Sequence, residues 1–210
     1  LLVRAANGIW AVFNLGDGRV EAERLPHASG EALVLSGLLD WNSDGFPDLA
    51  VVDDDRNLSV LCTDGAGGLL VEFGLPLSPN LREALATGDL DGDGDGDVVL
   101  AEHSPDQYRI LLGDGAGGVA AEIVEPSERI ESVRLRDVSG DGVLDRAASF
   151  RIGSDAHITV ERGLGDGSFV AWADLPAGSS VLDVSFGDVD GDDDLDLFYA
   201  PGVVGSAAVA

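Results

Sequence analysis

The sequence predicts an all-β protein made of β-propeller blades, each of four antiparallel strands, in four repeats of about fifty residues. Three recurring features predict this fold. They are a proline every fifty residues, a glycine turn between two apolar runs, and an aspartate-rich loop of nine residues. The prolines are Pro26, Pro76, Pro126 and Pro176. The turns are Gly16-Asp17-Gly18, the Asp64–Gly68 and Asp114–Gly118 runs, and Gly165-Asp166-Gly167. Asp-Gly between β-patterned runs predicts a hairpin, because its positive φ angles match the twist of the flanking strands. A phosphate-binding loop needs Gly-Lys-Ser/Thr and a following helix, and neither accompanies these glycines.

Runs rich in Val, Leu, Ile and aromatic residues fill the spaces between these landmarks and supply four strands per repeat. The first precedes an acidic loop, at 32–39, 84–88, 132–135 and 181–187. The second follows it, at 48–52, 97–101, 146–150 and 196–199. The third leads into a glycine turn, at 9–14, 58–62, 108–112 and 157–161, and the fourth leaves it, at 19–23, 69–73, 119–124 and 169–173. Residues 1–5 resemble a fifth strand of the second kind, against four acidic loops. This count favours an open part of a larger propeller over a closed ring, with self-association of two chains as one way to complete a disc. Residues 1–210 read as one domain of ordinary length for an all-β fold, and no stretch carries a capped helical period.

The acidic loops, at 40–48, 89–97, 137–145 and 188–196, carry the chemistry. Each places oxygen-bearing side chains at its positions 1, 3, 5 and 9: Asp40, Asn42, Asp44 and Asp48; Asp89, Asp91, Asp93 and Asp97; Asp137, Ser139, Asp141 and Asp145; Asp188, Asp190, Asp192 and Asp196. Alternate residues of a tight loop can turn their oxygens inward, a glycine at position 6 permits the bend, and a later carboxylate closes the shell. The seventh residue, Phe46, Asp95, Val143 or Asp194, supplies a backbone carbonyl. Oxygen ligands without nearby His or Cys select calcium over zinc or copper, and magnesium demands a stricter octahedron. The spacing therefore predicts up to four Ca²⁺. Asp and Gly also favour plain turns, but four such loops in register exceed what turn chemistry requires. An EF-hand would close with Glu at position 12 between helices. Asp193 stands where the other loops have glycine, and Ser139 removes a charge, so the loop at Asp89 is expected to bind most strongly and that at Asp137 most weakly.

Composition excludes several function classes. The formal charge is -27, from 39 acidic and 12 basic residues, which repels nucleic acid and anionic membrane surfaces. No apolar run is long enough to span a bilayer. The lone Cys62 ends an apolar run and is expected to be buried. The chain has no Met and no signal-peptide pattern, and reads as a processed chain or a piece of a longer one. His27, His103 and His157 form no metal or triad spacing, and the acids are committed to metal-loop spacing, so no enzyme is predicted. Trp10, Trp41 and Trp172 are expected in the core rather than stacked on sugars.

The loops resemble those of FG-GAP and VCBS repeats, as in the propeller of integrin alpha subunits, through D-[LV]-D-G-D-x-D-x-D followed by an apolar strand. Asp196-Leu197-Phe198-Tyr199-Ala200-Pro201-Gly202 is similar to the D-L-x-x-G-A-P end of that repeat, one residue short. The resemblance implies calcium between the first two strands of each blade, on one face of the disc, and ligands on the other. That other face is expected to include 53–56, 102–107 and 153–156, with the segments after the prolines. It further implies a non-catalytic binding or adhesion module of an extracellular or cell-surface protein, contacting a protein or glycan. A calcium-dependent lectin, or an accessory domain of a secreted carbohydrate-active enzyme, is the alternative.

Overall fold

The structure is a computed structural model and describes residues 2–5, 8–14, 19–24, 33–53, 56–63, 68–77, 81–103, 105–201 and 208–209. Pro26, His27, the glycine turns at 16–18 and 64–67, and the side chain of Trp10 lie outside what is described. The described residues contain strands and turns but no helix.

The strands form five antiparallel sheets in chain order. The first contains β1 (Leu2–Ala5), β2 (Gly8–Asn14) and β3 (Val20–Arg24). Three complete four-stranded blades follow: β4 (Leu33–Leu39) to β7 (Leu69–Pro76), β8 (Leu81–Gly88) to β11 (Val119–Pro126), and β12 (Arg129–Arg136) to β15 (Phe169–Pro176). Their inner pairs are β5 (Asp48–Asp53) with β6 (Asn57–Thr63), β9 (Asp97–Glu102) with β10 (Gln107–Gly113), and β13 (Asp145–Ile152) with β14 (Asp155–Gly163). The last sheet holds β16 (Val181–Gly187), β17 (Asp196–Pro201) and β18 (Ala208–Val209). Every strand pairs only with its chain neighbours, so among the described residues no pairing closes the row into a ring. The predicted β-propeller blades are therefore present as an open series.

Blades stack first strand against first strand, β4 on β8, β8 on β12 and β12 on β16. The β4–β8 approach explains Gly37, because a Cβ there would strike Thr87 and Leu85. The second strands β9 and β13 are covered by neighbouring blades on both faces, which explains why they are apolar without alternation. In β9, Val98 and Leu100 enter the core shared with the preceding blade, whereas Val99 and Ala101 enter the core shared with the next. Ala148 and Ala147 divide in the same way between their two layers. The fourth strands β11 and β15 are mostly exposed edges. Three of the regularly spaced prolines end the fourth strands, Pro76, Pro126 and Pro176, where a missing N–H is tolerated.

Arg146 on β13 ties two blades together. It is 3% exposed, donates to Glu161 at 2.7 Å and to Glu125 of β11 at 2.8 Å, and lies between the rings of Tyr108 and Phe169. Cys62 is buried, as its place at the end of an apolar run predicts. Trp41 is fully buried against Phe73, as expected of a core residue. Trp172 departs from that expectation: it lies on the outer strand β15, is 50% exposed, and has Arg162 over its ring. It takes an outward position of the strand, where β11 has the exposed Glu122, so ring size alone misplaces it.

Candidate metal centre

Each acidic loop joins the first strand of a sheet to the second, and its backbone geometry recurs in all four. Position 6 is left-handed in every copy, with φ of 83° at Gly45, 94° at Gly94, 89° at Gly142 and 70° at Asp193. Position 4 is left-handed too, at Ser43, Gly92, Gly140 and Gly191, a requirement that three glycines signal in the sequence.

These bends aim backbone N–H groups at the position-1 carboxylate. Asp40 accepts from Asp44 and Gly45, Asp89 from Gly92 and Gly94, Asp137 from Gly140, Asp141 and Gly142, and Asp188 from Gly191 and Asp193, at 2.7–3.2 Å. Position 5 accepts from the N–H of position 7 in every loop, Asp44 from Phe46, Asp93 from Asp95, Asp141 from Val143 and Asp192 from Asp194. The position-7 residues therefore use their N–H groups inside the loop, and the carbonyl is the backbone oxygen they can offer.

The position-9 aspartates have a second role that ligand spacing did not predict. Asp48, Asp97 and Asp145 are 0–1% exposed. One oxygen of each accepts from position 2, at Trp41, Leu90 or Val138, and the other from the last residue of the third strand, Thr63, Gly113 or Gly163. A single carboxylate thus fastens the loop, the second strand it begins, and the third strand's end. Glycine at 113 and 163 permits the approach, since a Cβ would run into the carbonyls of Gly96 and Leu144. The sequence signal was present: aspartate occupies position 9 in every loop, even where position 3 is Asn42 or Ser139. Asp196 keeps the bond to Val189.

Positions 1, 3 and 9 converge in two loops. Carboxylate oxygens of Asp89, Asp91 and Asp97 lie within 4.8 Å of one another, as do those of Asp188, Asp190 and Asp196. Asp93 and Asp192, at position 5, stand outside these groups. Loops 40–48 and 137–145 have an amide and a hydroxyl at position 3, so they lack a third carboxylate there. Burial, with the like charges of Asp91 and Asp89, pushes Asp97 up to about 6 despite the N–H donors of Leu90 and Gly113. Asp91 is also raised, by desolvation and by its acidic neighbours. The donor set fits a hard divalent cation: every polar side-chain atom at positions 1, 3, 5 and 9 is oxygen apart from the amide nitrogen of Asn42. The buried hydroxyl of Ser139, at position 3 of its loop, has no hydrogen-bond partner, as expected of an oxygen reserved for a ligand.

A sequence profile of the FG-GAP-like repeat matches residues 40–100 and 89–148, together just over half of the chain. The chain belongs to the FG-GAP-like repeat family. The first two matched acidic loops and the third fall inside that range. No curated protein sequence matches the chain. Among solved structures, the rhamnogalacturonan lyase YesW is similar at 13% identity and a TM-score of 0.51, over 94% of this chain and 49% of that one. The chain thus spans about half the length of that lyase, and the likeness is one of fold. BBS1N in complex with ARL6DN gives 14% identity and a TM-score of 0.33, over 95% of this chain and 81% of that one.

The structure also orders the two ends of the FG-GAP blades. Acidic loops and the described glycine turns, at 114–118 and 165–167, share one end, joined by the position-9 bonds to Gly113 and Gly163. The turns between second and third strands lie at the other end with the segments after the prolines. There, Leu77 and Ser127 donate to the carbonyls of Arg56 and Asp106, Ala177 donates to the carbonyl of Ala156, and the N–H of Ala156 donates to the carbonyl of Gly178. His103 and His157 are bonded to Asp106 and Asp174 and form no metal group. No helix of the described residues is long and apolar enough to cross a membrane.

Proposed function

We propose that the chain is a calcium-stabilised, non-catalytic binding module of an extracellular or cell-surface protein, contacting a protein or glycan through the end away from the acidic loops. The observation that carries this reading is the recurrence of one acceptor-lined loop in four successive sheets, with three carboxylates converging in two of them. Calcium bound there would neutralise mutually repelling carboxylates. The chain's own residues hold the loop: positions 4 and 6 bend it, its N–H groups orient positions 1 and 5, and position 9 fastens it to the blade.

An extracellular module can work with dissociation constants of roughly 10⁻⁴ to 10⁻³ M. At calcium tenfold above such a constant each site adds about 1.4 kcal/mol, and four add about 5–6 kcal/mol, comparable with total native stability. A melt in EGTA against millimolar calcium tests the reading. A drop of many degrees is expected, and an unchanged melt overturns calcium stabilisation.

Trp172 favours glycan contact as the second reading, because its half-exposed ring lies beside Arg162 on an outer strand. A glycan array in calcium separates it from protein binding. Self-association is proposed on the open end of the row, where Val189 is 57% exposed although its counterparts Trp41 and Leu90 are buried by a following blade. Light scattering at the mass of one chain would overturn it.

A further inference from the structure

The second acidic loop reaches back into the first. The N–H of Gly96, position 8 of the 89–97 loop, donates to the carbonyl of Asp40, position 1 of the preceding loop, at 2.7 Å. Beside it the hydroxyl of Ser43 donates to the side chain of Asp95. The approach requires glycine: a Cβ at 96 would lie 2.6 Å from the Cβ of Leu39 and 2.9 Å from the Asp40 carbonyl. Among the described residues no equivalent backbone bond joins the other neighbouring loops. Their position 8 is Leu144 or Leu195, and the side chain of Leu144 packs instead where Gly88 leaves room.

The contacts involve residues that hold the predicted ligands. Asp40 is itself oriented by Asp44 and Gly45, and Asp95 is fixed by its N–H bond to Asp93. Ser43 occupies the left-handed region at φ 54°, a conformation that neighbouring contacts must sustain in a residue other than glycine. Ordering either loop therefore orders part of the other.

We propose that loops 40–48 and 89–97 bind calcium cooperatively, with Ser43, Asp95 and Gly96 as the positioning residues that couple them. The inference rests on the calcium reading above. Binding in the second loop holds Asp93 and Asp95 and with them the adjoining Gly96, so that Asp95 fixes the Ser43 hydroxyl and the Gly96 N–H fixes the Asp40 carbonyl, and the first loop loses less freedom when it binds. Coupling of this kind is reciprocal.

Terbium provides the test, because Trp41 lies inside the first loop and can sensitise its luminescence, with Trp41→Phe defining that share of the signal. Calcium displacement then reports the affinity of the first loop. Disabling the second loop with Asp91→Asn and Asp93→Asn should weaken the first by about fivefold or more, within the usual range of coupling between sites. The matching change in the fourth loop, Asp190→Asn with Asp192→Asn, should leave it within about twofold, since it lies outside the coupled pair. Ser43→Ala should shrink the dependence on the second loop, and Gly96→Ala should shrink it further; Ser43→Ala alone suffices if Gly96→Ala does not fold. Independent affinities, or equal weakening from the fourth loop, overturn the coupling alone. Absence of any terbium binding overturns the calcium reading and the coupling with it.

Discussion

Asp145 and Asp141 belong to the same predicted calcium loop, yet the structure assigns them separable roles. Asp145 is fully buried and accepts from Val138 at 2.9 Å, Ser139 at 2.8 Å and Gly163 at 3.0 Å. Asp141 is exposed and accepts only the N–H of Val143 within the loop. Hydrogen bonds to a charged acceptor contribute about 1.5–3 kcal/mol each, and removing the carboxylate also recovers part of its desolvation cost. Asp145→Ala is therefore expected to lose about 3–4 kcal/mol in EGTA, where no cation contributes. Asp141→Ala should lose under about 1 kcal/mol there but forfeit about 1.4 kcal/mol of the calcium-dependent gain at calcium tenfold above the dissociation constant. Urea unfolding of both variants in EGTA and in calcium measures the four values. Equal losses in EGTA, or a loss below about 1 kcal/mol for Asp145→Ala, would refute the assignment of position 9 to the scaffold.

Two further outcomes follow from charges in the blades. Arg146→Ala leaves Glu125 and Glu161 facing each other without their cation and should cost about 3–5 kcal/mol by urea unfolding, whereas Arg146→Met combined with Glu125→Gln and Glu161→Gln should recover most of it. Asp97 has a folded value of about 6, above that of an unfolded aspartate, so its contribution is fully present below about pH 4 and lost as pH rises through 6. In EGTA this group should lower the melting temperature between pH 4 and 7; calcium should abolish that decline, and Asp97→Asn should remove the group's share of it.

Much of the fold was legible because the chain repeats. Pro76, Pro126 and Pro176 and the turns at 114–118 and 165–167 fall where strand and hairpin chemistry place them, and the apolar runs became strands with nearly the expected bounds. Ligand spacing grouped positions 1, 3, 5, 7 and 9 of each loop, and in two loops the carboxylates of positions 1, 3 and 9 converge. It did not distinguish the exposed Asp93 from the buried Asp97, because spacing says which oxygens can meet but not which also cap backbone donors. Arg146 was illegible for a different reason: its partners come from four other strands, and its own position in the repeat is Leu49, Val98 and Leu197 elsewhere. Trp172 and Trp41 are alike in type, but Trp41 faces the shared core while Trp172 takes an outward position of an outer strand, where β11 has Glu122.

The central claim is that the four acidic loops are calcium sites, and bound calcium per chain measures it most directly. Equilibrium dialysis against millimolar calcium should find close to four ions per chain, falling by about one when Asp188→Asn and Asp192→Asn disable the last loop. A chain that retains no calcium under those conditions, or whose stoichiometry is unmoved by that change, would contradict the account.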